Sequence, residues 1–111
     1  MSYAAAFLAV ASRHGERITL ERNGEVLGTG LALLRPIFDR RGQFLPADLG
    51  LERREQVLCM AQADLPLAPA PGRTLVRCEE RVYRVVNVRR VTAGLELVYW
   101  RAILEREVEG L

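Results

Sequence analysis

The chain has 111 residues, half of them hydrophobic and 27% charged, enough to bury one core and too short for two ordinary domains. All 16 basic residues are Arg, and 14 acidic residues leave a net charge of only +2, which excludes the strong positive footprint of a bulk nucleic-acid binder. A composition this apolar, with no long polar tract, also excludes global disorder.

In chain order, residues 3–13 predict an amphipathic helix. Ser2 supplies an N-cap, Ala4 to Ala6 give high helix propensity, and Gly15 ends it. Phe7, Leu8 and Val10 are its expected anchors; Phe7 and Leu8 are also the candidates if the helix docks on a neighbouring subunit. No basic residue precedes the apolar run Ala4 to Ala11, which is far too short to cross a bilayer. Neither signal peptide nor membrane anchor is expected, and synthesis inside the cell is. His14 lies at the helix end, where the dipole favours a cation, and reads as a capping residue rather than a catalyst.

Arg17 to Arg22 alternates and meets Asn23-Gly24, a strong signal for a type I′ hairpin turn. The return strand runs to about Leu34, giving a hairpin over 17–34. Gly28 and Gly30 within it each mark a bulge or a close backbone approach. Their G-x-G spacing lacks the third glycine, the helix and the Lys of a phosphate loop.

Residues 35–56 have no strict period and read as a long loop, a feature that in compact domains is commonly functional or disordered. Apolar Phe38 and Phe44 alternate there with Arg40, Arg41, Arg53 and Arg54. These six form the candidate subunit-interface or channel-lining set, because Arg suits carboxylate and phosphate contacts. Asp39, Asp48, Glu52 and Glu55 offset much of that charge. The apolar run 57–61 then predicts a buried strand, and the prolines between Ala63 and Gly72 predict a stiff extended crossover.

Residues 73–105 read as a three-stranded meander with turns at Glu79-Glu80-Arg81 and Thr92-Ala93-Gly94. Alternation places Tyr83, Val85, Asn87 and Arg89 on one face and Val82, Arg84, Val86, Val88 and Arg90 on the other. On this reading Val86 belongs to the core and would not tolerate Asp. Trp100 reads as core rather than interface. The fold expected is mainly β: a small antiparallel β-barrel or sandwich of about six strands, with a short N-terminal α-helix and a long loop.

No catalytic, cofactor-binding or metal-ligating set is read from the sequence. Cys59 and Cys78 lack metal-ligand spacing and read as buried free thiols, with a disulfide between them left open. Ser2 and Ser12, the only serines, lie in no nucleophile elbow. Glu79 and Glu80 occupy a turn and make no obvious acid–base pair.

The order helix, hairpin, long loop, buried strand and proline-rich connection leads into PGRTLVRCEERVYRVVNVRRVTAGLELVYWRAIL. In that stretch Pro71-Gly72 precedes a strand, a turn precedes Tyr83 and the V-x-x-V of Val85 to Val88, and a further turn leads to Tyr99. The pattern resembles the small head-tail connector proteins of tailed bacteriophages and prophages, also called head-closure, stopper or head-tail joining proteins. Residues 33–61 look like a variant from prophages of contractile-tail type. The sequence departs from the family in carrying Glu79-Glu80-Arg81 where the turn before the Tyr strand usually has a Gly.

The resemblance covers nearly the whole chain and implies one connector-like barrel over residues 1–111, without catalysis or cofactor. It implies a homo-oligomeric ring at the virion neck, made in the host bacterial cytoplasm. The partners implied are the portal or adaptor and the tail proteins of the same particle, with non-specific contact with packaged DNA allowed and no membrane. Two other expectations stand beside it: a tail terminator or other neck component, and a nucleic-acid-binding small barrel.

Overall fold

The computed structural model describes residues 2–37, 55–68 and 73–107. The elements are α1 (Tyr3–His14), β1 (Glu16–Arg22), β2 (Glu25–Pro36), β3 (Gln56–Gln62), β4 (Thr74–Cys78), β5 (Arg81–Ala93) and β6 (Glu96–Arg106). The six strands close into an antiparallel barrel in the order β1-β2-β3-β6-β5-β4. Closure removes the exposed apolar face that a lone meander would leave. We call the end with the β4–β5 turn the lower end and the end with the β1–β2 and β5–β6 turns the upper end.

The β1–β2 turn is the one its dipeptide demands: Asn23 and Gly24 both have positive φ, 52° and 86°, as a type I′ turn requires. Beyond it Leu20 pairs with Gly28 while Glu21 pairs with Val26, so Leu27 is an extra residue and Gly28 borders the bulge. Gly30 serves a close approach instead. A Cβ there would lie 2.7 Å from Gln62 Cδ, and Gln62 Oε1 uses that space to accept a 2.7 Å hydrogen bond from the Leu31 N–H. β2 runs two residues past Leu34, with Pro36 at its very end, where a missing N–H costs least.

α1 follows its caps. Ser2 Oγ accepts from the Ala5 N–H at 3.0 Å, and the Gly15 N–H donates to the Ala11 carbonyl at 2.7 Å. A side chain at Gly15 would sit 2.5 Å and 2.6 Å from the Ala11 and Ala32 carbonyl oxygens, so the chain leaves the helix through a gap only glycine fits. His14 is exposed in the last turn. Of the expected anchors only Phe7 is seated: the seated positions are Ala4, Phe7 and Ala11, one stripe at i, i+3 and i+7. Leu8 and Val10 fall off that stripe and are 39% and 49% exposed.

The core comprises inward residues of every strand, among them Ile18, Leu20, Val57, Cys59, Val76, Tyr83 and Leu104. Trp100 belongs to it as expected, 7% exposed, and its Nε1–H donates to the Ala63 carbonyl at 3.1 Å. The proline-rich segment is more than a crossover. Leu65 and Leu67 are 4% and 1% exposed and join the core cluster, closing the upper end of the barrel. Two tight backbone bonds shape it, Leu65 N–H to the Gln62 carbonyl at 3.2 Å and Leu67 N–H to the Leu65 carbonyl at 2.8 Å.

The meander corrects the sequence reading in two places. Its turns are Glu79-Glu80 and Gly94-Leu95, with Arg81, Thr92 and Ala93 inside β5 and Leu95 fully exposed. In β5, Val85 pairs with Leu104 and Asn87 with Ile103, so Val86 is a bulged extra residue. The bulge inverts the alternation beyond it. Tyr83 and Val85 share the inner face with Val88, not with Asn87 and Arg89, and Val86 is 50% exposed rather than core.

Candidate interaction surfaces

The helix candidates separate. The Phe7 ring stacks on Tyr99 of β6 with centroids 4.8 Å apart and planes 19° from parallel, and the Tyr3 N–H donates to Glu96 Oε1 at 3.0 Å. Phe7 therefore fastens α1 to its own barrel. Leu8, one residue on, turns instead into an open groove of about 580 Å³ between α1 and the β1–β2 hairpin, where Ala9, Arg17, Thr29, Gly30 and Gln62 also lie. Tyr3 is 66% exposed.

Phe38, Arg40, Arg41, Phe44, Arg53 and Arg54 lie outside the described residues. The described residues on either side of them meet at the lower end of the barrel. The Ile37 N–H donates to the Gln56 carbonyl at 3.0 Å, and Glu55 pairs with Arg106 of β6 at 3.6 Å.

At that same end a polar cluster ties β1, β4 and β5 together. The Arg81 guanidinium donates to Glu16 Oε1 at 2.8 Å, to Cys78 Sγ at 3.4 Å and, from its other nitrogen, to the Tyr83 hydroxyl at 3.5 Å. Arg106 lies over the Tyr83 ring, 5.8 Å from its centroid, within cation–π range. Cys78 and Tyr83 are completely buried, so this cluster works as a latch across three strands.

Both thiols are free and buried. Burial, with Cys78 nearby, pushes the Cys59 thiol up to about 12. Burial and the Glu16 carboxylate also raise Cys78, against the opposing pull of Arg81. Neutral thiols are poor nucleophiles and poor metal ligands. No group of three or more His, Cys, Asp or Glu side chains suited to a metal forms among the described residues, and no described helix is long and apolar enough to cross a membrane.

From Arg73 onward the arginines divide into two populations. Arg73, Arg77, Arg81, Arg84 and Arg106 pair with Glu107, Glu21, Glu16, Glu105 and Glu55. Arg89, Arg90 and Arg101, on the upper half of the β5–β6 hairpin, are exposed and make no ion pair among the described residues. Arg89 stands directly opposite Arg101 in the register. This grouping escaped the sequence reading, because the bulge at Val86 sets which residues of β5 share a side with β6. The only signal was the adjacent pair Arg89-Arg90 four residues before the Gly94 turn.

Compared with known proteins, the chain matches no family model, no curated protein and no solved structure.

Proposed function

We propose that this chain is a structural protein of a phage or prophage particle, one subunit of an oligomeric ring at the neck that joins the DNA-filled head and its portal to the tail. One observation carries the reading: the part of the connector-like pattern from Thr74 to Leu104 falls on the β4–β5–β6 side of a closed six-stranded barrel with a helix fastened outside it. The pattern's two tyrosines hold structural positions in that arrangement. Tyr83 fills the core and Tyr99 seats the helix. The partners proposed are the portal or adaptor on one side, tail proteins on the other, and copies of the same chain around the ring. The chain acts by contact and carries out no reaction.

The test is electron microscopy of particles from an induced host lacking the gene, beside the complemented strain. Separate tails with emptied or unjoined heads are expected. Filled heads bearing tails of aberrant length would replace the reading by a tail terminator, and normal particles would remove both.

A further inference from the structure

Two surface patches at opposite ends of the barrel carry unpaired charge of opposite sign. On the upper half of the β5–β6 hairpin, Arg89 and Arg101 are direct cross-strand neighbours. Like charges placed opposite each other on a sheet oppose folding unless an anion lies over them. The backbone is open along the same stretch. β4 pairs only with Arg81 to Arg84 of β5, so the edge from Val86 to Ala93 has no strand partner among the described residues. Exposed edges of this kind are docking templates as well as liabilities.

The lower end presents the complement. Glu79 and Glu80 form the exposed β4–β5 turn, and neither carboxylate has an ion-pair partner among the described residues. The arginines nearest in the fold, Arg81 and Arg106, are engaged by Glu16 and Glu55. Glu79 has φ +56°, a left-handed conformation that favours glycine or asparagine and works against a glutamate. An acidic side chain is thus kept at a position where the turn alone selects against it.

We infer that the Glu79-Glu80 turn of one copy docks on the Arg89–Arg101 face of the next, a head-to-tail contact between two different surfaces of the same chain. This rests on the ring reading above and assigns that ring its two faces. The guanidinium fork takes a carboxylate in a paired geometry, and a contact between unlike surfaces closes into a ring when its rotation permits. A nucleic-acid strand is the poorer occupant. Single strands stack on exposed aromatics, whereas Tyr99 is stacked against Phe7 and Trp100 is buried.

The experiment is sedimentation of the purified full chain over a range of concentrations at low and high salt. Two double variants are compared with it, Arg89→Glu with Arg101→Glu and Glu79→Arg with Glu80→Arg. The first leaves two like charges facing each other, so its internal repulsion is unchanged, and thermal melting verifies the fold of both; either variant alone is sufficient for the test. Salt-weakened self-association of the wild type is expected, with the apparent Kd raised about tenfold or more in each variant. Association should return in an equimolar mixture of the two, where each reversed face meets its complement. Variants that associate like the wild type would overturn the assigned faces and leave the ring standing. A wild type that stays monomeric would overturn the ring with them. Oligonucleotide binding that needs Arg89 and Arg101, without self-association, would overturn the inference in favour of nucleic acid.

Discussion

Leu67→Ala tests whether the proline-rich segment belongs to the core. Leu67 is 1% exposed and packs into the barrel cluster beside Leu65. Truncation removes three buried carbons, about 0.8 kcal/mol each or roughly 2.4 kcal/mol in transfer free energy. The cavity left behind adds to this, which brings the expected loss to about 3 kcal/mol, within the roughly 2–5 kcal/mol range of such substitutions. A domain of this size holds about 5–15 kcal/mol in all, so the melting temperature should fall by roughly 10 °C or more. Pro66→Ala, next door and exposed, is the control and should change stability by less than about 1 kcal/mol. Both are read from urea melts, with an unchanged slope showing that only stability has moved. A loss below about 0.5 kcal/mol for Leu67→Ala would return the segment to a solvated crossover and leave the upper end of the barrel without its plug.

Val86→Asp should be tolerated within about 1 kcal/mol, since the bulged side chain is half exposed, whereas Val76→Asp, wholly buried, should abolish cooperative melting; the reverse order would restore uninterrupted alternation in β5. Gly30→Ala and Gln62→Ala both break the Leu31 N–H to Gln62 bond, each at about 1 kcal/mol, so the double variant should cost little more than either alone. Additivity within about 0.3 kcal/mol would refute that shared cause. Burial pushes the Cys59 thiol from its ordinary value of 9.0 up to about 12, so it keeps its proton in the fold after losing it in the unfolded chain. Its contribution is complete below pH 9.0 and declines between there and about 12, at roughly 1.4 kcal/mol per pH unit. Urea midpoints on either side of that lower limit should diverge less in Cys59→Ala than in the wild type, and an equal decline would remove Cys59 as a cause.

Local chemistry was legible wherever a residue dictates its own backbone. Asn23-Gly24 fixed its turn, Ser2 and Gly15 fixed both helix ends, and the apolar run from Val57 to Ala61 marked a strand, of which only Val57, Cys59 and Ala61 are buried while Leu58 and Met60 are half-buried. What the sequence concealed were the features that depend on residues far apart in it. The bulge at Val86 exists because β5 must pair with β6 along nearly its whole length while meeting β4 only from Arg81 to Arg84, and no local pattern records that mismatch. The prolines around Leu65 and Leu67 advertised an extended path but not its direction, which the open upper end of the barrel supplies. The stripe that seats α1 was read only in part for a similar reason: two alanines and a phenylalanine leave the seated face to be chosen by Tyr99, which lies 92 positions after Phe7.

The bulge also joins the fold to the proposed assembly. With Val86 in the pairing, Arg90 rather than Arg89 would stand on the outer face, and the charge opposite Arg101 would move into the barrel mouth beside Trp100. Leaving Val86 out of the pairing therefore turns Arg89 outward against Arg101 and builds the like-charged pair that an acidic partner would relieve. It leaves Tyr83 and Val85 in place on the core side of the insertion. Core and surface are thus set by different halves of one strand. The lower half of β5 is held by β4 and the Arg81 latch. The upper half, free of β4, carries the charge. Deleting Val86 tests this directly: Val85 and Asn87 become consecutive opposite Leu104 and Ile103, and Arg89 stays opposite Arg101, so the variant should melt cooperatively and associate as the wild type does. A deletion variant that melts cooperatively but no longer associates would show that Val86 itself, rather than the Arg89–Arg101 pair, carries the contact.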